Sequence, residues 1–196
     1  MMHAAPALDG SSAASPALIA AVTAMAEGRA VLVLTGTGGV LTMAGRAVTP
    51  GWINFMATEA RGLVGIALTP RRAAELGLTL QPRKGRPDAP LYTQSIEGRQ
   101  GISTGISAAD RARTILAAET GTSDDIVTPG HIFPQIADED DVAAVALQLL
   151  RLADAGKVAV LCTMLDAEGA DADREAAQAL AEAHGLAVLD AGELTA

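Results

Sequence analysis

Two short phrases decide how this chain is read: Gly101–Ile115, GISTGISAADRARTI, and Thr128–Pro134, TPGHIFP. The first is a glycine-punctuated turn running into a helix. Ser107 stands where an N-cap belongs, Asp110 follows three residues on in place of the usual capping-box Glu, and Ile115 begins an apolar face. The second sets His131 directly after a Pro-Gly turn and before an apolar pair. Such phrases hold polar side chains at the mouths of rigid elements, where binding and catalytic groups concentrate.

Around them the chain is punctuated regularly. Ser15-Pro16, Thr49-Pro50 and Thr69-Pro70 each pair a capping side chain with proline at the first helical position. They predict helices from Pro16 to Glu27, from Pro50 through Ala60, and from Arg71 to Leu76, with Gly28 and Gly77 as stops for the first and third. Further helices are expected to about Glu119, over Val142–Ala155 and over Asp171–His184. Short apolar runs at Ala30–Leu34, Val40–Met43, Gly62–Leu68, Lys157–Cys162 and Leu186–Leu189 read as buried strands, and Leu91–Glu97 as a half-exposed one. Two adjacent strands near Val40 and the strand at Leu91 break a pure βαβ rhythm, so the class is α/β or α+β. Residues 1–14, rich in Ala, Ser, Pro and Gly, read as a disordered tail, leaving 15–196 as a single domain.

Composition narrows the partners. A formal net charge of -9 argues against nucleic acid and against an anionic membrane surface. One cysteine, Cys162, leaves no internal disulfide, and a cytoplasmic location is expected. No apolar run is long enough to span a bilayer, and the start lacks a basic signal-peptide region. Mean hydropathy is +0.29, carried mostly by alanine.

Other local signals have plain readings. Gly36–Gly39 could cradle a phosphate, but neither a lysine nor a helix follows, so a hairpin turn is favoured. Asp138–Asp141, DEDD, sits at a helix start, where acids are favoured electrostatically, more readily than it forms a metal site. His184, near a helix C-terminus, is favoured there by the dipole. Residues 79–90 hold Arg83, Lys84 and Arg86 among prolines, an exposed loop that could act as a lid over an anionic ligand.

Taken together, TGISAADRARTI and TPGHIFP resemble the 3,4-dihydroxy-2-butanone 4-phosphate synthase family of riboflavin biosynthesis, whose phrases there read TGISAxDRAxTI and RPGHxFP. The resemblance extends through TPGWINFM at Thr49–Met56, RGLVGIALTPRRAAELGL at Arg61–Leu78, and SIEGRQGISTGIS into the Cys162 strand. It implies that family's α+β fold, a mixed sheet flanked by helices, and a homodimer with sites at the subunit interface. It also implies a reaction in which ribulose 5-phosphate is enolised and rearranged, and loses one carbon as formate. That chemistry uses a divalent metal, magnesium or manganese, with acid/base groups to move protons.

Against this pattern the sequence departs at four places. The family's acidic DDEDRENEGD loop is replaced by TGTGGVLTMAG, Thr35–Gly45, with no carboxylate. Gly65 stands for a substrate-side cysteine. The RxGHTEA-like loop is missing, with Val142 where its metal histidine aligns. Thr163 replaces the Glu of a Cys-Glu pair. The expectation is therefore a metal-free homologue that has lost the ribulose 5-phosphate reaction and acts on another small metabolite. The alternatives are a non-catalytic structural partner or regulator, and residual synthase activity. His131 is the candidate catalytic residue, with Cys162 and Thr163 behind it; Thr104, Asp110, Arg111 and Thr128 are candidate ligand contacts. Asp166 and Glu168 read as turn residues.

Overall fold

The computed structural model describes residues 14–138 and 141–194. The tail predicted over 1–14 lies, apart from Ala14, outside them. The strands are β1 (Val31–Leu34), β2 (Gly39–Ala44), β3 (Arg61–Leu68), β4 (Leu91–Tyr92), β5 (Ile96–Gly98), β6 (Ile126–Ile136), β7 (Ala159–Met164) and β8 (Ala187–Asp190). The helices are α1 (Pro16–Ala26), α2 (Pro50–Phe55), α3 (Pro70–Glu75), α4 (Ala108–Thr120), α5 (Val142–Leu152) and α6 (Arg174–His184). The sheet order is β4-β6-β3-β7-β2-β1-β8, with β5 paired to β6. β3 runs parallel to β6 and β1 to β8, while β3–β7, β2–β7 and β1–β2 are antiparallel. This is the mixed sheet of an α+β fold.

Alternation along the strands divides the core between the two faces. Leu41, Met43, Val64, Ile66, Val160 and Cys162 point to one face with Ile53 of α2 and Ile115 of α4. Ala44, Ala67, Ala159 and Leu161 point to the other, under α1 and α5. That second layer is built largely of alanine, including Ala21, Ala24, Ala143 and Ala146. The alanine-borne hydropathy of the sequence is thus spent on bringing two helices close to the sheet.

The capping signals take physical form. Ser15, Thr49 and Thr69 accept from the N–H groups of Leu18, Trp52 and Arg72 at 3.0, 3.2 and 3.1 Å. Thr35 and Gly38 close the β1–β2 hairpin, with Thr35 N–H donating to Gly38 O at 2.9 Å. The second predicted helix is shorter than expected: after Phe55 it widens into a π-helical turn, Met56–Ala60, that ends on Arg61 at φ +66°. The strand predicted over Leu91–Glu97 is two strands. Between them Gln94 turns its side chain to Thr79, accepting from its N–H at 2.9 Å, so the chain leaves one ladder before it joins the next.

Candidate functional site

β5 and β6 pair antiparallel, but their register jumps: Ile96 faces Ile132, whereas Glu97 faces Val127. The residues in between, Thr128–His131, therefore stand out of the ladder. Gly130 makes the excursion fit, because a Cβ there would lie 2.0 Å from the carbonyl oxygen of Ile96. Its N–H donates to Ser95 Oγ at 3.1 Å. The excursion carries His131 over Glu97, with Nδ1 2.7 Å from Glu97 Oε2. The Glu97 side chain is 12% exposed and that of His131 42%, so the carboxylate is inside and the imidazole opens outward.

The turn before α4 closes the third side. Gly105 has φ +77°, and a Cβ on it would meet Glu97 Oε2 at 2.0 Å and His131 Nδ1 at 2.5 Å. The two phrases quoted at the outset thus touch, with Glu97 between them. Thr114 of α4 donates to Glu97 Oε1 at 3.2 Å and accepts the Gly98 N–H at 3.0 Å. Glu97 is the residue that sequence reading passed over. Its one available signal was an acid between Ile96 and Gly98, both of which point the other way along the strand into the core.

Asp110 differs from the capping-box expectation. Ser107 does cap α4, accepting from Asp110 N–H at 3.0 Å. The Asp110 carboxylate, however, reaches past it to the preceding turn. Its Oδ2 accepts from Ser103 Oγ at 2.7 Å and from the N–H groups of Ser103, Thr104 and Gly105 at 3.3, 3.2 and 3.1 Å. These bonds, led by the Ser103 hydroxyl, favour the ionised carboxylate and hold its pKa down at about 2. Converging backbone N–H groups such as these could grip an anion; in this turn they are already occupied by the Asp110 side chain. Asp110 faces inward, and Thr104 keeps only its hydroxyl for a ligand. The ion partner of Asp110 is Arg113 at 3.7 Å. Arg111 is half-buried, and its Nε has no hydrogen-bond partner among the described residues. Thr128 is exposed on the excursion.

Cys162 and Thr163 are neighbours on β7 and so face opposite sides of the sheet. The Cys162 thiol is buried, 3.4 Å from the carbonyl oxygen of Gly62, and burial pushes it up to about 11. Thr163 lines a small cavity with Gly65, Val142 and Phe133, of about 50 Å³. None of the residues lining this cavity is acidic. Asp141, one residue before Val142, accepts from Ala144 N–H and Gln135 Nε2 at 2.8 and 2.7 Å. Glu139 and Asp140 of the DEDD run lie outside the described residues. Among the described residues no three of His, Cys, Asp and Glu are grouped so as to hold a metal ion. Asp166 serves its turn, accepting from the Glu168 and Ala170 N–H groups at 3.0 and 2.8 Å. No hydrogen bond joins it, Cys162 or Thr163 to His131 among the described residues. His184, besides ending α6, lies edge-on to Phe55 and 3.6 Å from Glu59.

Fold and site together define a mixed-sheet α+β protein in which a carboxylate-held histidine sits at an irregular edge. The family model for 3,4-dihydroxy-2-butanone 4-phosphate synthase matches residues 19–196, and the chain belongs to that family. A synthase of that name from Pseudomonas aeruginosa is 40% identical over 159 residues, covering 76% of this chain and 44% of that one. One from Cupriavidus pinatubonensis is 35% identical over 190 residues, covering 90% and 85%. Among solved structures, a two-domain synthase from A. baumannii superposes with a TM-score of 0.85 at 33% identity, over 90% of this chain and 56% of that one. A synthase in complex with two magnesium ions gives 0.83 at 26% identity, over 89% and 92%. The chain thus spans less than half the length of some relatives and most of others. Among the described residues no helix is long and apolar enough to cross a membrane.

Proposed function

We propose that this synthase homologue no longer performs the metal-dependent conversion of ribulose 5-phosphate and acts instead, without metal, on another small metabolite. One observation carries the reading. Three of the positions at which the sequence departs from the family, Gly65, Val142 and Thr163, line one cavity, and it has only about 50 Å³ and no acidic wall. Small-molecule sites occupy about 300–1,000 Å³, whereas this space suits a few waters. A hard divalent cation takes oxygen ligands, usually with at least one carboxylate among them. The donors present within this chain do not fit one, so no step is assigned to a metal.

What remains able to move a proton is the Glu97–His131 pair. With Nδ1 held by the carboxylate, Nε2 is the atom free to take or give a proton at a bound substrate. Glu97 fixes the tautomer and stabilises the charge that develops on the ring, as an orienting carboxylate does elsewhere. The chemistry this supports is proton transfer beside a carbonyl in a small polar molecule. The homodimer expected from the family belongs to the same proposal. On the sheet face beside the cavity Leu63 is 53% exposed and Phe133 half-buried, so this face suits a second copy.

The relatives, at 35–40% identity, favour ordinary synthase activity as the competing reading. Purified chain incubated with ribulose 5-phosphate and magnesium decides between them. No formate above a no-enzyme control is expected. Formate release abolished by His131→Gln would establish the competing reading.

A further inference from the structure

Towards the other end of α5 from the small cavity lies a cleft of about 700 Å³, between α3, the second half of α5 and the turn into β7. Val142 opens α5 at the cavity and Arg151 closes it at the cleft. Along the helix Val142 and Arg151 stand about 14 Å apart. In a chain of net charge -9, the cleft gathers four cations, Arg71, Arg72, Arg151 and Lys157, against two carboxylates, Glu75 and Asp154.

The cations are not equally committed. Arg72 is spent on structure. It is 5% exposed, and its guanidinium donates to the carbonyls of Ala118 and Gly121 and to Glu75. Glu75 is shared between Arg72 and Arg71, each at 3.0 Å. Arg151 and Lys157 have no ion-pair partner among the described residues. An arginine in the last turn of a helix is ordinarily explained by the helix's unsatisfied carbonyls. Here those carbonyls are satisfied by the backbone: Ala153, Asp154 and Ala155 donate to Leu149, Arg151 and Leu150 at 3.0, 3.2 and 3.0 Å. This is a Schellman closure with Asp154 in the left-handed position, at φ +46°. Arg151 is thus available to a ligand. Between the cations the wall is apolar, formed by Leu147 and Leu150.

We propose that this cleft binds a small phosphomonoester, its phosphate held by Arg151 and Lys157 with Arg71 at the rim, and its apolar body against Leu147 and Leu150. A guanidinium presents two parallel donors to phosphate oxygens, and the lysine adds a point charge. The site volume fits a single metabolite-sized molecule. The proposal is independent of what Glu97 and His131 do.

Calorimetric titration of the full chain with phenyl phosphate, inorganic phosphate and benzyl alcohol tests it. Phenyl phosphate is expected to saturate one site with Kd below about 1 mM. Inorganic phosphate should bind at least tenfold more weakly and benzyl alcohol not at all. The double variant Arg151→Gln/Lys157→Gln should lose at least tenfold in affinity for phenyl phosphate while keeping its unfolding temperature. His131→Gln should bind as the parent does. Equal binding by the parent and the double variant overturns the proposal, as does inorganic phosphate binding as tightly as the ester. So does the absence of saturation by phenyl phosphate, whether or not an acidic peptide then binds the cleft.

Discussion

His131 Nδ1 lies 2.7 Å from Glu97 Oε2, although 34 residues separate the two in the chain. The pairing depends on the excursion of Thr128–His131 out of the β5–β6 ladder and makes the imidazole a directed group. A carboxylate at Nδ1 requires the proton there, leaving Nε2 as the acceptor. Nitrogen-15 NMR of His131 at neutral pH is therefore expected to show the Nδ1–H form. In Glu97→Ala it should revert towards the Nε2–H form of a free imidazole. The same substitution removes one of the bonds of Thr114 Oγ1, which keeps the Asp110 carbonyl and the Gly98 N–H at 3.0 Å each, and should cost about 1 kcal/mol in urea unfolding. An unchanged tautomer in Glu97→Ala would remove the orienting role.

Gly105 is the most constrained position of the site. Alanine there combines a left-handed backbone with a methyl group placed 2.0 Å from Glu97 Oε2 and 2.5 Å from His131 Nδ1. Gly169 also has a left-handed φ, +85°, but open space around it. Gly169→Ala should cost only the conformational penalty, about 1–2 kcal/mol. Gly105→Ala should cost that penalty and more, and should release His131 from Glu97. Equal unfolding midpoints for the two variants would contradict the close packing of Gly105 on the pair.

Asp110 carries a pH dependence whose sign follows from its bonds. Its folded-state value is depressed from 3.8 to about 2, chiefly by the Ser103 hydroxyl. Its contribution to stability is thus fully present above about pH 4 and is lost as pH falls towards 2. Asp110→Asn should lower stability at neutral pH and flatten the acid limb of the stability profile in that window. A variant whose acid limb runs parallel to the parent's would show that other carboxylates set it.

Much of the fold was legible because its signals are local. A capping hydroxyl followed directly by a proline, as at Thr69-Pro70, needs only neighbouring atoms to act, and the three helix starts fell where such pairs stood. The hairpin at Gly36–Gly39 was legible for the same reason. The site was legible only in part. His131 could be singled out from its phrase, but its partner could not, because Glu97 reaches it through a register jump that no periodicity encodes. Asp110 was read as half of a capping box, since sequence shows the spacing of a carboxylate and not the direction in which it turns. Glu119 and Arg72 look like surface residues of helices, yet both are 5% exposed. Each satisfies backbone groups of a distant segment: Glu119 accepts from the Val158 N–H at 2.8 Å, and Arg72 donates to the Gly121 carbonyl at 2.7 Å. Such long-range satisfaction of buried backbone leaves no trace in local sequence.

Cys162 tests whether a residue placed in the candidate list by its family position has chemistry in this setting. Its Sγ is packed among Met56, Gly62 and its own strand, and burial raises the thiol from 9.0 to about 11. The thiolate is the reactive species, so at neutral pH two units reduce it by about 100-fold before any loss of access is counted. Ellman's reagent should therefore modify the native chain at least about 100-fold more slowly than the chain in denaturant, where the thiol is ordinary and exposed. The Glu97–His131 pair lies elsewhere in the site, so Cys162→Ala should leave the His131 tautomer unchanged. Rapid labelling of native Cys162 at neutral pH would restore it as a nucleophile and would place a second reactive group within this fold.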